Sequence, residues 1–297
     1  MRTASALSRL AAPIIVAGIL LAGCGQTPPT RTSDVGAAPA AGLHGQTAPA
    51  PAGAEGDRLA AGTNGTLNLA QATPGSLPAG SIYRNPANGR NEVVVEDIAR
   101  TAVLIGDSQS EPTFSWPRTA LASLGYEVHF CGRGGTGFVA SNGTTGNYID
   151  ALQRGDWLLP YGSPPLVVIE GGGNDASRGA TDQQISENAE RLIASVRQRY
   201  PAARLAMVGT LARGAADGGG RRTEVDALLG TVAARNSMSF VSVGDWLTRY
   251  DLTKSMADGV HMSPGGHAAL AGLLARKLDE LGLRTPGPVP ADSAATP

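Results

Sequence analysis

Val103-Leu104-Ile105-Gly106-Asp107-Ser108-Gln109-Ser110 is the stretch that decides the fold. Its apolar start reads as a strand buried on both faces, the pattern of a parallel sheet. The run breaks at Gly106 into a polar turn. Glu111-Pro112 is expected to open a helix there, because proline suits the first helical turn. A serine on a strand-to-helix turn stands at the mouth of an α/β sheet. A helix N-terminus behind it favours developing negative charge, which makes Ser108 a candidate nucleophile.

Outward from this stretch, apolar runs recur at 101–105, 126–131, 166–169, 205–209 and 240–243, with helical patterns between them. Thr181 and Gln184 form a capping box, and Ile185, Ala189, Leu192, Ile193 and Val196 follow at helical spacing. Val225, Leu228, Leu229 and Val232 mark another helix. Ser263 and Pro264 start the last one, whose apolar face is Leu270, Leu273, Leu274, Leu278 and Leu281, with Gly282 at its C-terminal cap. Strands alternating with helices imply a three-layer α/β/α domain around a five-stranded parallel sheet. Its flavodoxin-like order is 2-1-3-4-5.

The 297 residues carry a formal net charge of −1, with no basic patch for nucleic acid. Proline is densest in the first third, with 9 of the 20, and large apolar residues are sparse over residues 25–80, so the folded part is shorter than the chain. Two cysteines, Cys24 and Cys131, offer no zinc-ligand spacing, and neither a metal nor another cofactor is expected. Arg2 and Arg9 precede an apolar core too short to span a membrane comfortably. Leu21-Ala22-Gly23-Cys24 follows, and it resembles the lipobox of bacterial lipoprotein signal peptides. The resemblance implies a signal peptide over residues 1–23. It also implies lipidation of Cys24 and anchoring on the outer face of the cell membrane, which is stable when two or more acyl chains are attached. Residues 24–81 are rich in Ala, Gly, Pro and Thr and cannot bury enough surface to offset their ordering entropy, so they read as a disordered tether. The folded domain is expected over residues 82–283, and a frayed tail over 284–297. A monomer is expected.

Each polar, glycine-rich block falls just after a strand: Gly106 to Ser110 after the first, Gly132 to Gly137 after the second, Gly171 to Asp175 after the third. In the order 2-1-3-4-5 these strands are neighbours, and their carboxyl ends line one crevice, where open α/β sheets bind ligands. Asp258-Gly259-Val260-His261 lies on the approach to the last helix and is placed to fold over the same edge. These four blocks resemble those of the SGNH hydrolases, the GDSL esterase family: Gly106-Asp107-Ser108, a glycine placed at Gly135, Gly172-Gly173-Asn174-Asp175, and Asp258 to His261. All four stand in the family's order. The chain departs from it in carrying Gln109, where many members have Leu, and Phe130 at about the place of an asparagine.

The resemblance implies a serine ester hydrolase working through an acyl-enzyme. A serine hydroxyl is a weak nucleophile until a neighbouring base takes its proton; His261 is the candidate base, and Asp258 the group that orients its ring. Donors for the oxyanion are expected from the backbone N–H of Ser108, the backbone N–H of Gly135 and the side-chain amide of Asn174. With the lipobox, this points to O-acyl groups of an envelope carbohydrate or lipid. An acyltransferase with the same triad and a non-catalytic glycan-binding lipoprotein are the alternatives. A metallophosphoesterase would need an Asp-x-His and an Asn-His pair, which the chain lacks.

Structural roles are expected for the remaining polar residues. Asp107 bonds the turn, Asp175 caps the following helix, His129 and Cys131 sit inside a strand, and His267 is solvent-facing or packed. Trp116, Trp157 and Trp246 pack the core, and Arg133 and Arg178 are exposed beside the crevice loops.

Overall fold

The computed structural model describes residues 74–285. The expected signal peptide, Cys24, the tether up to residue 73 and the tail beyond residue 285 lie outside the described residues. After a short 3-10 turn (Pro74–Ser76), the chain forms an antiparallel hairpin of β1 (Ile82–Asn85) and β2 (Arg90–Val93). Its turn contains Asn88-Gly89, a strong hairpin signal. Glu92, 1% exposed, clasps the hairpin: it accepts the Asn85 amide at 3.0 Å, the Asn88 amide at 2.9 Å, and the guanidinium of Arg199. Val93 then bonds Leu159 and Tyr161, tying the hairpin to the loop before the central sheet.

Five strands follow: β3 (Thr101–Gly106), β4 (Glu127–Gly132), β5 (Leu166–Glu170), β6 (Arg204–Val208) and β7 (Ser239–Val241). They form one wholly parallel sheet in the order β4-β3-β5-β6-β7, which is the expected 2-1-3-4-5 counted over these strands. Every residue of β3 and β5 is buried, as central strands covered on both faces require.

The helices are α1 (Trp116–Ser123), α2 (Tyr148–Arg154), α3 (Gly173–Ser177), α4 (Asp182–Arg199), α5 (Gly220–Arg235), α6 (Trp246–Arg249) and α7 (Pro264–Glu280). Ala102, Leu104 and Val168 meet α1, α6 and α7 on one face of the sheet. Val103, Ile105 and Ile169 meet α2, α4 and α5 on the other. The alternation of side chains along a strand thus sorts the core into two layers. Each fully buried Leu or Ile in them contributes about 1.5–3 kcal/mol.

The predicted stripe of α4 is the buried set Ile185, Ala189, Leu192, Ile193 and Val196, behind the expected Thr181–Gln184 capping box. Ser263 caps α7, and its far end closes with Gly282 donating to Asp279 and Leu283 to Leu278, a Schellman closure. That closure turns Leu283 into the core and leaves Leu281 43% exposed, so the last residue expected on the apolar face is displaced by the cap.

The helix expected from Glu111-Pro112 is the larger correction. Residues 107–111 make a single turn, and α1 starts only at Trp116, with Ser115 as N-cap and Pro117 in its first turn. The Ser115 hydroxyl donates to the Ser110 carbonyl at 3.0 Å and separates the turn from the helix.

Candidate active site

Ser108 sits where β3 leaves the sheet, in a turn closed on Asp107. The Asp107 carbonyl accepts the N–H of Ser110 at 3.0 Å and of Glu111 at 2.9 Å, and its carboxylate accepts that of Gln109 at 2.9 Å. Beneath the turn the Ser110 hydroxyl donates to Glu170 at the end of β5, at 2.7 Å. Asp107, Gln109 and Ser110 are all buried. Burial pushes the Asp107 carboxyl up to about 6, against the pull of the Gln109 N–H and the Arg222 charge. Burial first, and then the Asp107 charge, hold Glu170 well above the usual carboxylate range.

The loop before α7 brings its pair to this turn. His261 Nε2 lies 3.0 Å from Ser108 Oγ, and His261 Nδ1 lies 2.9 Å from Asp258 Oδ2. An ionised carboxylate only accepts, so Nδ1 carries the ring proton and Nε2 is left to accept from the serine hydroxyl. Asp258 also accepts the N–H groups of Val260 and His261, each at 2.6 Å. The His261 N–H, the His261 ring and the Val260 N–H together hold its carboxyl far below the usual range. The pair is open to solvent, with side-chain exposures of 43% and 56%.

The second block presents its amides selectively. The Gly134 N–H donates to Glu111 at 2.8 Å and the Gly137 N–H to the Ala140 carbonyl at 2.9 Å. Among the described residues the N–H groups of Gly135 and Ser108 have no partner. Gly135 has φ +77°, a conformation that glycine adopts without strain. Gly134 is packed so that a Cβ on it would lie 3.4 Å from Ser108 Cβ and within 2.8 Å of the Glu111 carboxylate.

Asn174 lies in α3 with both hydrogens of its amide engaged, by Asp107 Oδ2 at 3.0 Å and by the Thr136 carbonyl at 2.9 Å. Asp175 differs from its expected role as a helix cap. Its carboxylate accepts the N–H groups of Phe138, Val139 and Ala140 at 2.9, 2.7 and 2.8 Å, so it shapes the second block from the third.

Gln109, the departure noted in the sequence, is 4% exposed and spans the two halves of the site. Its amide donates to the Val260 carbonyl at 2.9 Å and accepts from the indole of Trp116 at 3.3 Å. The other sequence candidates stand outside the chemistry. His129 bonds the Leu158 carbonyl, and Cys131 is fully buried, its thiol pushed up by desolvation. His267 is packed, with its Nδ1 accepting the Trp116 N–H, while Trp116 and Trp246 pack against each other in the core. Arg133 pairs with Glu111, and Arg178 donates to the Ser141 carbonyl.

The sequence model of the GDSL-like lipase/acylhydrolase family matches residues 101–269, from the start of β3 into α7. The chain belongs to this family. A multidomain esterase of Ruminococcus flavefaciens is 28% identical over 130 residues, which cover 42% of this chain and 17% of that protein. The chain therefore spans about a sixth of that relative's length. An active-site mutant of a family two carbohydrate esterase from Clostridium thermocellum shares the fold, with TM-score 0.50 and 19% identity over 66% of this chain and 68% of that one. Two charged residues of this chain beside the site, Glu170 and Arg222, lie outside the four sequence blocks. A carboxylate closing an otherwise apolar strand was the signal for Glu170; a basic residue on an amphipathic helix gave none for Arg222.

Proposed function

We propose that this chain is a carboxylic ester hydrolase that forms an acyl-enzyme on Ser108. The observation that carries the reading is the unbroken chain from Ser108 Oγ through His261 to Asp258, at 3.0 and 2.9 Å. His261 Nε2 takes the serine proton as Oγ bonds the ester carbonyl carbon. Asp258, ionised at every working pH, holds the ring and stabilises the imidazolium. The carbonyl oxygen becomes an oxyanion facing the unpartnered N–H groups of Ser108 and Gly135. Asn174 is the third donor: a charged acceptor outcompetes a neutral carbonyl, so one amide hydrogen turns from Thr136 to the oxyanion. Collapse breaks the ester bond, and His261 returns its proton to the leaving alcohol. Water, activated by the same imidazole, then releases the acid and restores Ser108.

The substrate in this reading is an O-acyl carbohydrate or lipid of the cell envelope. A carbohydrate ester is supported by the carbohydrate esterase that shares the fold, and an envelope location by Leu21-Ala22-Gly23-Cys24, through which the chain is exported and lipid-anchored. A fluorophosphonate probe should label Ser108 stoichiometrically. Ser108→Ala should abolish labelling and lower hydrolysis of a short-chain nitrophenyl ester by about 10⁴-fold or more. A variant within threefold of the parent refutes the reading. Cys24→Ala should leave the protein without lipid.

A further inference from the structure

A pocket of about 130 Å³ opens between the loop that carries His261 and the segment following β6. Leu211, Leu247, Met256 and Val260 give it an apolar wall, and its only charged lining residues are Arg213 and Arg222. It abuts the site on two sides. Val260 immediately precedes His261. Arg222, reaching from α5, lies so close over Gly173 that a Cβ there would collide with its guanidinium, and Gly173 immediately precedes Asn174.

The arginines keep most of their donors in reserve. Arg222 uses Nε to donate to the Leu211 carbonyl at 3.2 Å. Among the described residues neither Arg222 nor Arg213 forms an ion pair. Asp107 and Glu170 lie near enough to act on the Arg222 charge, but neither carboxylate is in direct contact with its guanidinium. A half-buried guanidinium with free N–H groups, a second cation at the mouth and an apolar wall together suit an anion on a short hydrocarbon stem.

We propose that this pocket is a subsite for a carboxylate borne by the ester substrate, held by Arg222 and Arg213. Methylene or ring carbons joining that carboxylate to the ester lie along Leu211, Leu247, Met256 and Val260. The proposal rests on the ester hydrolase reading and narrows its substrate to acidic esters. Arg213, exposed at the rim, steers the anion inward, and Arg222 fixes it.

The test compares matched esters on the full chain at low salt. Monoethyl succinate against ethyl butyrate places the carboxylate on the acyl side; 4-acetoxybenzoate against phenyl acetate places it on the alcohol side. One pair should favour its acidic member by about tenfold in kcat/KM, mainly through KM. Arg213→Gln and Arg222→Lys should each lower that ratio by about threefold or more, and high salt should shrink it. The ratio cancels any general loss of folding or chemistry. Ratios near one in both pairs overturn the subsite while leaving the hydrolase standing, as does a preference that neither variant moves. If no ester is turned over, the hydrolase reading falls, and calorimetry on the full chain carrying Ser108→Ala decides the subsite separately. Millimolar or tighter binding of an acidic ester, weakened by Arg213→Gln, supports it; no such binding overturns it.

Discussion

The two halves of the site are held in opposite ways. Asp107, Gln109 and Ser110 are buried at 2%, 4% and 0% exposure, and Glu170 braces their turn from the neighbouring strand. Asp258 and His261 instead sit half-exposed on a loop whose bonds are mostly its own: Asp258 to Val260 and His261, Ala257 to His261, Ser263 to Ser255. Beyond the contact with Ser108 itself, the Gln109–Val260 bond is the side-chain tie between the halves. The Ser108 turn is therefore part of the core, and the Asp258–His261 loop is an attachment to it. Changes on the loop should alter rate without stability, and changes under Ser108 should alter stability first.

Asp258→Asn breaks the comparison hardest. It keeps an oxygen for the loop's N–H groups but loses the charge and the tautomer control, so kcat should fall by about 10³–10⁴-fold. The melting temperature should hardly move, as expected for an exposed site. A kcat within about tenfold of the parent would show that the loop does not carry the base.

Gln109→Leu tests the tie. Cutting it should lower kcat by about tenfold while KM stays near the parent value, because the imidazole wanders from Ser108. The Trp116 indole loses its acceptor as well, at a stability cost of about 1–3 kcal/mol. Gln109→Glu separates the two effects. A protonated acid can still donate to the Val260 carbonyl and a carboxylate cannot, so this variant's kcat should decline as pH rises relative to the parent. Parallel pH profiles would reduce Gln109 to a packing residue.

Glu170→Gln gives the smallest effect and should leave the loop untouched. Burial raises both Asp107 and Glu170, so the native state keeps protons that the unfolded chain has lost. The resulting stability loss is absent below the unfolded value of 3.8 for Asp107, grows as pH rises, and is complete above its folded value of about 6. Glu170 adds a loss of the same sign at higher pH. A neutral glutamine removes the second part. Its melting temperature relative to the parent should climb by a few degrees between acidic and mildly alkaline pH. A pH-independent difference would mean that Glu170 carries no such linkage.

Legibility followed the same division. The sheet order, the α4 stripe and the caps of α4 and α7 were readable because burial on a regular element imposes a period on the sequence. The approach of Asp258 and His261 to Ser108 was readable only through the four blocks standing in family order, since no local period links residues 153 apart. The start of α1 was misplaced because Pro112 fits a turn as well as a helix, and the Ser115 bond to Ser110 is invisible in one dimension. Asp175 was assigned to its neighbours in sequence, whereas its three partners lie 35 to 37 residues away. Arg222 acts through space alone and left no trace.

Cys131 ends as a measuring device. It lies near the carboxyl end of β4, an outer strand of the sheet, shut away from solvent and with its thiolate suppressed. Alkylating reagents can reach it only when that margin of the sheet peels open. Its modification rate is thus a native clock for fraying of the strand that feeds the Gly135 loop.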